Sequence, residues 1–477
     1  MVKLSRMYLL VILFLFAAGN LFAATYFVST AGSDSNDGLS WSTAFATVQK
    51  GINSANAAGS SEVWVAQGTY YPTAFLTDVT GLRSTDAYKS FLMYAGVNVY
   101  GGFAGNEATK EARQLLSADP WDYSYPSVLD GSTTGSHHVV WFCTNGFHTE
   151  TMEGISAYFP NSLASQAILD GFTVTGGFAN YPARIENLTD PKNNIVHYSG
   201  GGVALTGKGE VHNCKIENNK AKYSGAGITM QFDSKVLNSL IQNNEGVGAN
   251  FYYAGIFGFG AFNYWRVDGA GLAARGDATY RPLIDNSVIH NNLGKANDNY
   301  PGTPTTTSNK FNQGGGVYLY YADVKNTKIS SNNIVNNPSP YSGGSSASCG
   351  GGIYMYSRAT LDNCEITDNG FVTSAQNGAG IFIGDYNKLA TDYTQLYVKN
   401  CYIHTNRAGG AIAYDSKYQQ IENTVVANNP GYGVYGYGNA QNGRTVNCLI
   451  FNNGGGWVQT SNTGNGNNWL INSTVTK

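Results

Sequence analysis

The sequence predicts an all-β chain wound as a solenoid of short parallel strands. Three observations carry that expectation. A seven-residue unit recurs: Asn, a small residue, any residue, Ile or Val, two variable residues, Asn. A glycine-rich unit precedes the copies. The composition is poor in helix formers and in charge, with 59 Gly among 477 residues and only 12% charged.

The asparagine unit reads NCKIENN (213–219), NSLIQNN (238–244), NSVIHNN (286–292) and NTKISSN (326–332). It continues as NCEITDN (363–369), NCYIHTN (400–406), NTVVANN (423–429) and NCLIFNN (447–453), with a ninth copy opening at Asn472. DGFTVTGG (170–177) is an earlier relative. Copies start 23 to 48 residues apart, the long intervals reading as the same unit with loop insertions. The glycine unit appears as GGGV at Gly200, GAGI at Gly225, GAGL at Gly269 and GGGV at Gly314. It returns as GGGI at Gly350, GAGI at Gly378, GGAI at Gly409 and GYGV at Gly431.

Both units alternate apolar and polar residues, which is strand periodicity, and the Gly and Asn mark bends. One such turn cannot bury its apolar side, whereas stacked turns can. About a dozen turns would make a rod of about 60 Å. Val211, Val236, Ile284, Val324, Leu361, Val398 and Ile421 are expected in one inward column. Ile216, Ile241, Ile289, Ile329, Ile366, Ile403, Val426 and Ile450 are expected in the next. Asn tolerates the left-handed backbone of a bend, and stacked amides can bond from turn to turn.

These units resemble right-handed parallel β-helix repeats of the pectin-lyase-like superfamily, and also the repeats of polymorphic outer-membrane proteins. The segment 25–73 is similar to the entry of many exported β-helix proteins. VNVYGGFAGNE (97–107) and SVLDG (127–131) look like early turns of that group. The resemblance implies a right-handed single-stranded parallel β-helix with an N-terminal capping helix over 43–57, whose Phe45, Val48 and Ile52 share one side. It is specific for fold and silent on activity, since lyases, glycosidases, adhesins and inert scaffolds share it.

Residues 1–23 read as a secretory signal peptide: Lys3 and Arg6, an apolar run over 7–18, and Ala23 at its end. The domain plan is therefore a signal over 1–23, a cap and first turns over 24–125, and β-helix repeats with loop insertions over 126–477. No later stretch is apolar enough to span a membrane, so the mature chain is expected outside the cell, secreted or on its surface. The chain opens a ninth unit at its end, which suits a fragment of a larger adhesin as well. A net charge of −3 without clustered Lys or Arg argues against nucleic acid as a partner.

Of six cysteines, Cys214, Cys364, Cys401 and Cys448 occupy the second place of the asparagine unit, where Ser and Thr stand in other copies. A small inward side chain suffices there. Only Cys364 and Cys401 fall on successive turns close enough for a disulfide. Cys143 and Cys349 lie outside the unit.

Two candidate sites follow, one from register and one from a loop. Outward positions after the glycine unit carry Tyr318, Tyr354 and Phe382 on successive turns, with Tyr320 and Tyr356 beside them and Tyr435 further along. Aromatic faces with polar tips suit sugar rings or a protein partner, and stacked rings also steady a parallel sheet. The second candidate is the acidic and basic loop cluster Arg266, Asp268, Arg275, Asp277, Arg281 and Asp285. A Ca²⁺-assisted site with an Arg base could be built from it, or it could simply be salt bridges holding a loop. The positions before each Asn read Asp285, Lys325, Asp362, Lys399 and Glu422, a ladder of alternating sign. The sequence thus favours a non-enzymatic, adhesin-like scaffold that binds a polysaccharide or a surface partner and needs no cofactor. The alternative is a polysaccharide lyase or glycoside hydrolase with a loop-built acidic site, and only that alternative calls for Ca²⁺.

Overall fold

The structure is a computed structural model. It describes residues 24–59, 61–78, 81–82, 85–142, 147–152, 155–160, 163–180, 199–253, 262–295, 309–335, 349–371, 378–384, 396–407, 409–416, 418–436, 442–459 and 468–476. The expected signal segment and Cys143 lie outside the described residues.

Three long sheets run the length of the molecule. The first has 13 strands, from Thr25–Val28 to Trp469–Ile471, and the second and third have 12 each. A fourth, six-stranded sheet fills one side between the third and the second. The ladders that carry the asparagine and glycine units are parallel, each strand pairing with its counterpart one turn on, while the inserted strands Ala249–Tyr253 and Phe262–Asp268 pair antiparallel. Val236 sits beside Ile284, Ile284 beside Val324, and Val324 beside Leu361. Ile329, Ile366 and Ile403 stack likewise in the third sheet. All of these side chains are fully buried, in one continuous core. The irregular early turns hold antiparallel pairs as well, at Phe147–Met152 with Ile155–Pro160 and at Ala74–Phe75 with Lys89–Met93.

Each asparagine unit bends twice. Its first Asn joins the first sheet to the third in the left-handed conformation, with φ between 43° and 56° from Asn213 to Asn472. The residue before its last Asn, such as Asn243, Asn291 or Asp368, is left-handed too. Asn bears that backbone at lower cost than most side chains. The glycine unit is explained by the same corner from the other side. A Cβ on Gly316 would lie 2.8 Å from the Asn332 amide and 2.8 Å from the Gly352 carbonyl. The third glycine of the unit thus leaves room for the last asparagine in these turns, with Ala411 standing at that place in the GGAI copy.

The helix, α1 (Val48–Ala57), is shorter than the sequence suggests. Thr47 is its N-cap and accepts a hydrogen bond from the Lys50 amide. Phe45 stands outside it because its backbone pairs opposite Val28, donating to the Phe27 carbonyl and accepting from the Ser29 amide, yet its ring remains in the core. Val48, Ile52 and Ala55 pack with Val28 and Val63 in that same core. Among the described residues no helix is long and apolar enough to cross a membrane.

Candidate binding surface

The outward face of the second sheet carries the aromatic residues in the expected register. Tyr318 pairs with Tyr354 and Tyr354 with Phe382, while Tyr320 pairs with Tyr356. Ring centroids are 5.6 Å apart for Tyr318 and Tyr354, and 5.5 Å for Tyr354 and Phe382. Tyr320 and Tyr356 stack at 5.6 Å. Gly384 makes room for the file, since a Cβ there would meet the Tyr354 hydroxyl at 2.5 Å.

Two further features of this file stand out. Ala413 follows Phe382 in the file, so Tyr435 is separated from the stack. More importantly, the rings point away from the core and yet are covered. Tyr318 and Tyr354 are 1% exposed, Phe382 6% and Tyr356 8%. They form a second apolar cluster with Ala273, Cys349 and Ala413, and the Arg275 guanidinium lies over Tyr318 at 4.7 Å. Tyr320 and Tyr435 are half-buried.

The stack opens at the corner between the second and first sheets. There Tyr320 meets Tyr321 edge-on at 4.8 Å, and Arg358 lies 5.4 Å over the Tyr321 ring. Tyr280 is 48% exposed and touches Phe232 edge-on at 6.4 Å. Beside it, Arg281 grips Asp323 through two hydrogen bonds of 2.9 and 2.6 Å. Of these rings Tyr280 is exposed and Tyr320 half-buried, while Tyr321 and Phe232 are buried.

The loop cluster does not converge. Asp268 and Arg275 form a buried pair at 2.8 Å, and Arg275 also donates to Ser224. Asp277 is spent on its own turn, accepting from the amides of Thr279 and Tyr280. Arg281 turns to Asp323, and Asp285 accepts from Asn326. The Arg266 side chain lies outside the described residues. These carboxylates point to separate places and do not fit one shared Ca²⁺. Among the described residues no group of three or more His, Cys, Asp or Glu is placed to hold a metal ion.

The alternating ladder does form, with Lys399 and Asp362 at 3.1 Å. Burial alone would raise the Asp362 pKa. Hydrogen bonds from Asn400 and Lys399 outweigh it and hold the carboxyl below its ordinary range. On the third sheet Glu365 is treated alike: burial opposes ionisation, and Lys328 and His404 overcome it.

Sequence reasoning missed a polar patch on the early turns of the first sheet. Arg113, delivered by the excursion after Phe103, bonds Asp170 at 2.7 Å and lies among the rings of Tyr100, Phe103 and Tyr123. Next to it, Glu210 accepts from His212 and Lys235, both at 2.8 Å. Burial works to raise Glu210, but bonds from His212, Lys235 and Gln166 hold its pKa at about 2. Asp170 and His212 continue the file of Asp285, which was the available signal. The irregular spacing of early turns hid it. Tyr402, Tyr418 and Tyr432, each at least 40% exposed, were also passed over as solvent-facing rings.

The right handed beta helix region, as a family, matches residues 185–347 and 345–477. The chain belongs to this family. No curated protein sequence matches it. Among solved structures, this β-helix is similar to the A-module of the Azotobacter vinelandii mannuronan C-5 epimerase AlgE4, at 11% identity and a TM-score of 0.41 over 89% of each chain. It is similar to pectate lyase Pel9A at 12% identity and a TM-score of 0.34, over 95% of this chain and 76% of that one. It is also similar to PfbA, a surface adhesin of Streptococcus pneumoniae, at 12% identity and a TM-score of 0.30, over 88% and 89%. None of these three likenesses bears on activity.

Proposed function

We propose that this protein is an exported, non-catalytic β-helix scaffold that binds polysaccharide, with the aromatic corner around Tyr280 and Tyr320 as its contact. The observation that carries this reading is the open margin of a stacked aromatic file, flanked by Arg281, Asp323 and Arg358. Tyrosine offers a flat apolar face to sugar C–H groups and a hydroxyl to their oxygens, at little cost in side-chain freedom. The rigid stack behind Tyr320 fixes its ring before any ligand arrives, which lowers the entropy lost on binding. In this reading residues 1–23 direct export and α1 shuts one end of the rod.

Support also comes from how charge is used. Asp170, Glu210, Asp268, Asp323, Asp362 and Glu365 each bond a cationic side chain nearby. Carboxylates so held tie turns together, whereas acid–base chemistry on a sugar needs a pair free to exchange protons.

Affinity electrophoresis of residues 24–477 through gels containing acidic or neutral polysaccharides tests the reading. Retardation is expected in at least one gel, and Tyr280→Ala with Tyr320→Ala should weaken it about tenfold, the equivalent of roughly 1.4 kcal/mol. Unchanged binding in the double variant would remove the corner from the account. Release of unsaturated oligosaccharides, abolished by EDTA, would replace the scaffold with a lyase.

A further inference from the structure

Beneath the first corner of each asparagine unit runs a buried file of small polar side chains. In it the backbone N–H of one turn donates to the hydroxyl of the next: Cys214 to Ser239, Ser239 to Ser287, Cys401 to Thr424, Cys448 to Ser473. At one junction the file places thiol against thiol. Asp362 pairs with Lys399 and Glu365 with Tyr402, so Cys364 and Cys401 face each other across consecutive turns. Turns about 4.8 Å apart fall within the Cα separation of about 4.4–6.8 Å that a disulfide spans. Both cysteines are free and 3% exposed, one layer below the exposed Asn363 and Asn400.

The two thiols are not equivalent. A hydrogen bond shared with Cys401 holds the Cys364 thiol below its ordinary pKa. The same contact, with burial, pushes the Cys401 thiol well above its own. Because a thiolate must meet its disulfide in solvent, exchange at this pair takes place while the turns are still open, before burial makes the thiols inert.

We propose that Cys364 and Cys401 are an oxidation site, closed to an inter-turn disulfide by a low-molecular-weight disulfide such as oxidised glutathione. During folding, before the core closes over it, the Cys364 thiolate attacks one glutathione sulfur, breaking its S–S bond and releasing one glutathione thiolate. The Cys401 sulfur, giving its proton to water, then attacks the Cys364 sulfur of the mixed disulfide and releases the second. Two protein thiols are oxidised and one glutathione disulfide is reduced to two thiols. The bond encloses residues 365–400, which include the strand Ile381–Gly384 that ends the covered aromatic file. Oxidation would thus staple the turn on which that file depends.

The test uses residues 24–477 refolded in a mixture of reduced and oxidised glutathione, alkylated, and mapped by peptide mass. Two of the six cysteines should escape alkylation, in one linked peptide pair containing Cys364 and Cys401, and dithiothreitol should restore both. The oxidised form should melt about 3 °C higher than the reduced form. Cys364→Ser and Cys401→Ser should each lose the link and the shift, while Cys448→Ser keeps them. Serine already occupies this file at Ser239, Ser287 and Ser473, so these variants suit the fold. If a variant fails to fold, the wild-type peptide map decides alone. Six alkylated cysteines, a glutathione adduct that persists on Cys364, or a link between other cysteines would each overturn the proposal.

Discussion

The first and last asparagines of each repeat stand six residues apart and do different work. From Asn219 to Asn453 the last asparagine is buried, at 0% exposure in most turns. Its Nδ2 donates to the carbonyl of the isoleucine or valine one turn back at 2.8–3.2 Å. Its Oδ1 accepts from both the backbone and the side-chain amide of the asparagine before it. From Asn286 to Asn472 the first asparagine is exposed, and its side chain donates a single bond to the turn before. One residue type thus serves as an internal spine at one corner and as a backbone device at the other. What separates them is water: a lost bond is refilled by solvent outside and left open inside.

The largest effect should come from breaking the spine. Asn332→Ala strips the acceptor from the amides of Asn292, the donor from the Ile289 carbonyl, and the link to Asn369. With several buried groups left unpaired, a loss of about 4 kcal/mol is expected, read as a lower urea midpoint. An effect below about 1 kcal/mol would show that solvent reaches the spine. Gly316→Ala should weaken the same place from its other side, because its new methyl would press on Asn332.

Ion pairs sharpen the contrast. Asp268→Asn removes the charge beside Arg275 in a pair exposed only 0% and 6%. A cost of about 3 kcal/mol is expected for the buried cation left behind. Glu365→Gln, at a pair exposed 37% and 46% with Lys328, should cost about 0.5 kcal/mol. Equal losses in thermal melts would erase the distinction between inner and outer contacts.

Acid should find the buried carboxylates next. Glu210 ionises at about 2 in the folded protein, against about 4.3 in an unfolded chain. Its stabilisation is complete above the higher value and disappears as pH falls through the lower one. About 3 kcal/mol should therefore be lost between roughly pH 4.5 and 2, and Glu210→Gln should flatten that part of the curve. A steeper acid limb in the variant would contradict the assignment to Glu210.

Much of this difference was legible in the sequence. Seven-residue periodicity fixed which Ile faces inward, and the pairing of Ile329 with Ile366 follows from it. Burial of outward rings was not legible. Tyr318 and Tyr354 occupy outward positions by register, but whether an outward position meets solvent depends on what other chain segments cross it. Arg275 over Tyr318 comes from a neighbouring turn of the same face, a contact that the repeat pattern does not specify. The same limit hid the Arg113–Asp170 pair, where the partner arrives from a non-repeating excursion.

The smallest effect tests the outer corner. Asn363 has φ 54° and is exposed, and its side chain donates to Asn326. If the backbone is what this site needs, Asn363→Gly should be within about 0.5 kcal/mol of the parent, because glycine accepts that conformation freely. Asn363→Ala should cost about 1 kcal/mol, because its Cβ resists the left-handed region. If the amide ladder mattered more, the two variants would lose alike, since both delete the same bond. Equal urea midpoints for Gly and Ala would therefore assign the outer asparagines to hydrogen bonding, and the inner and outer files would differ only in degree.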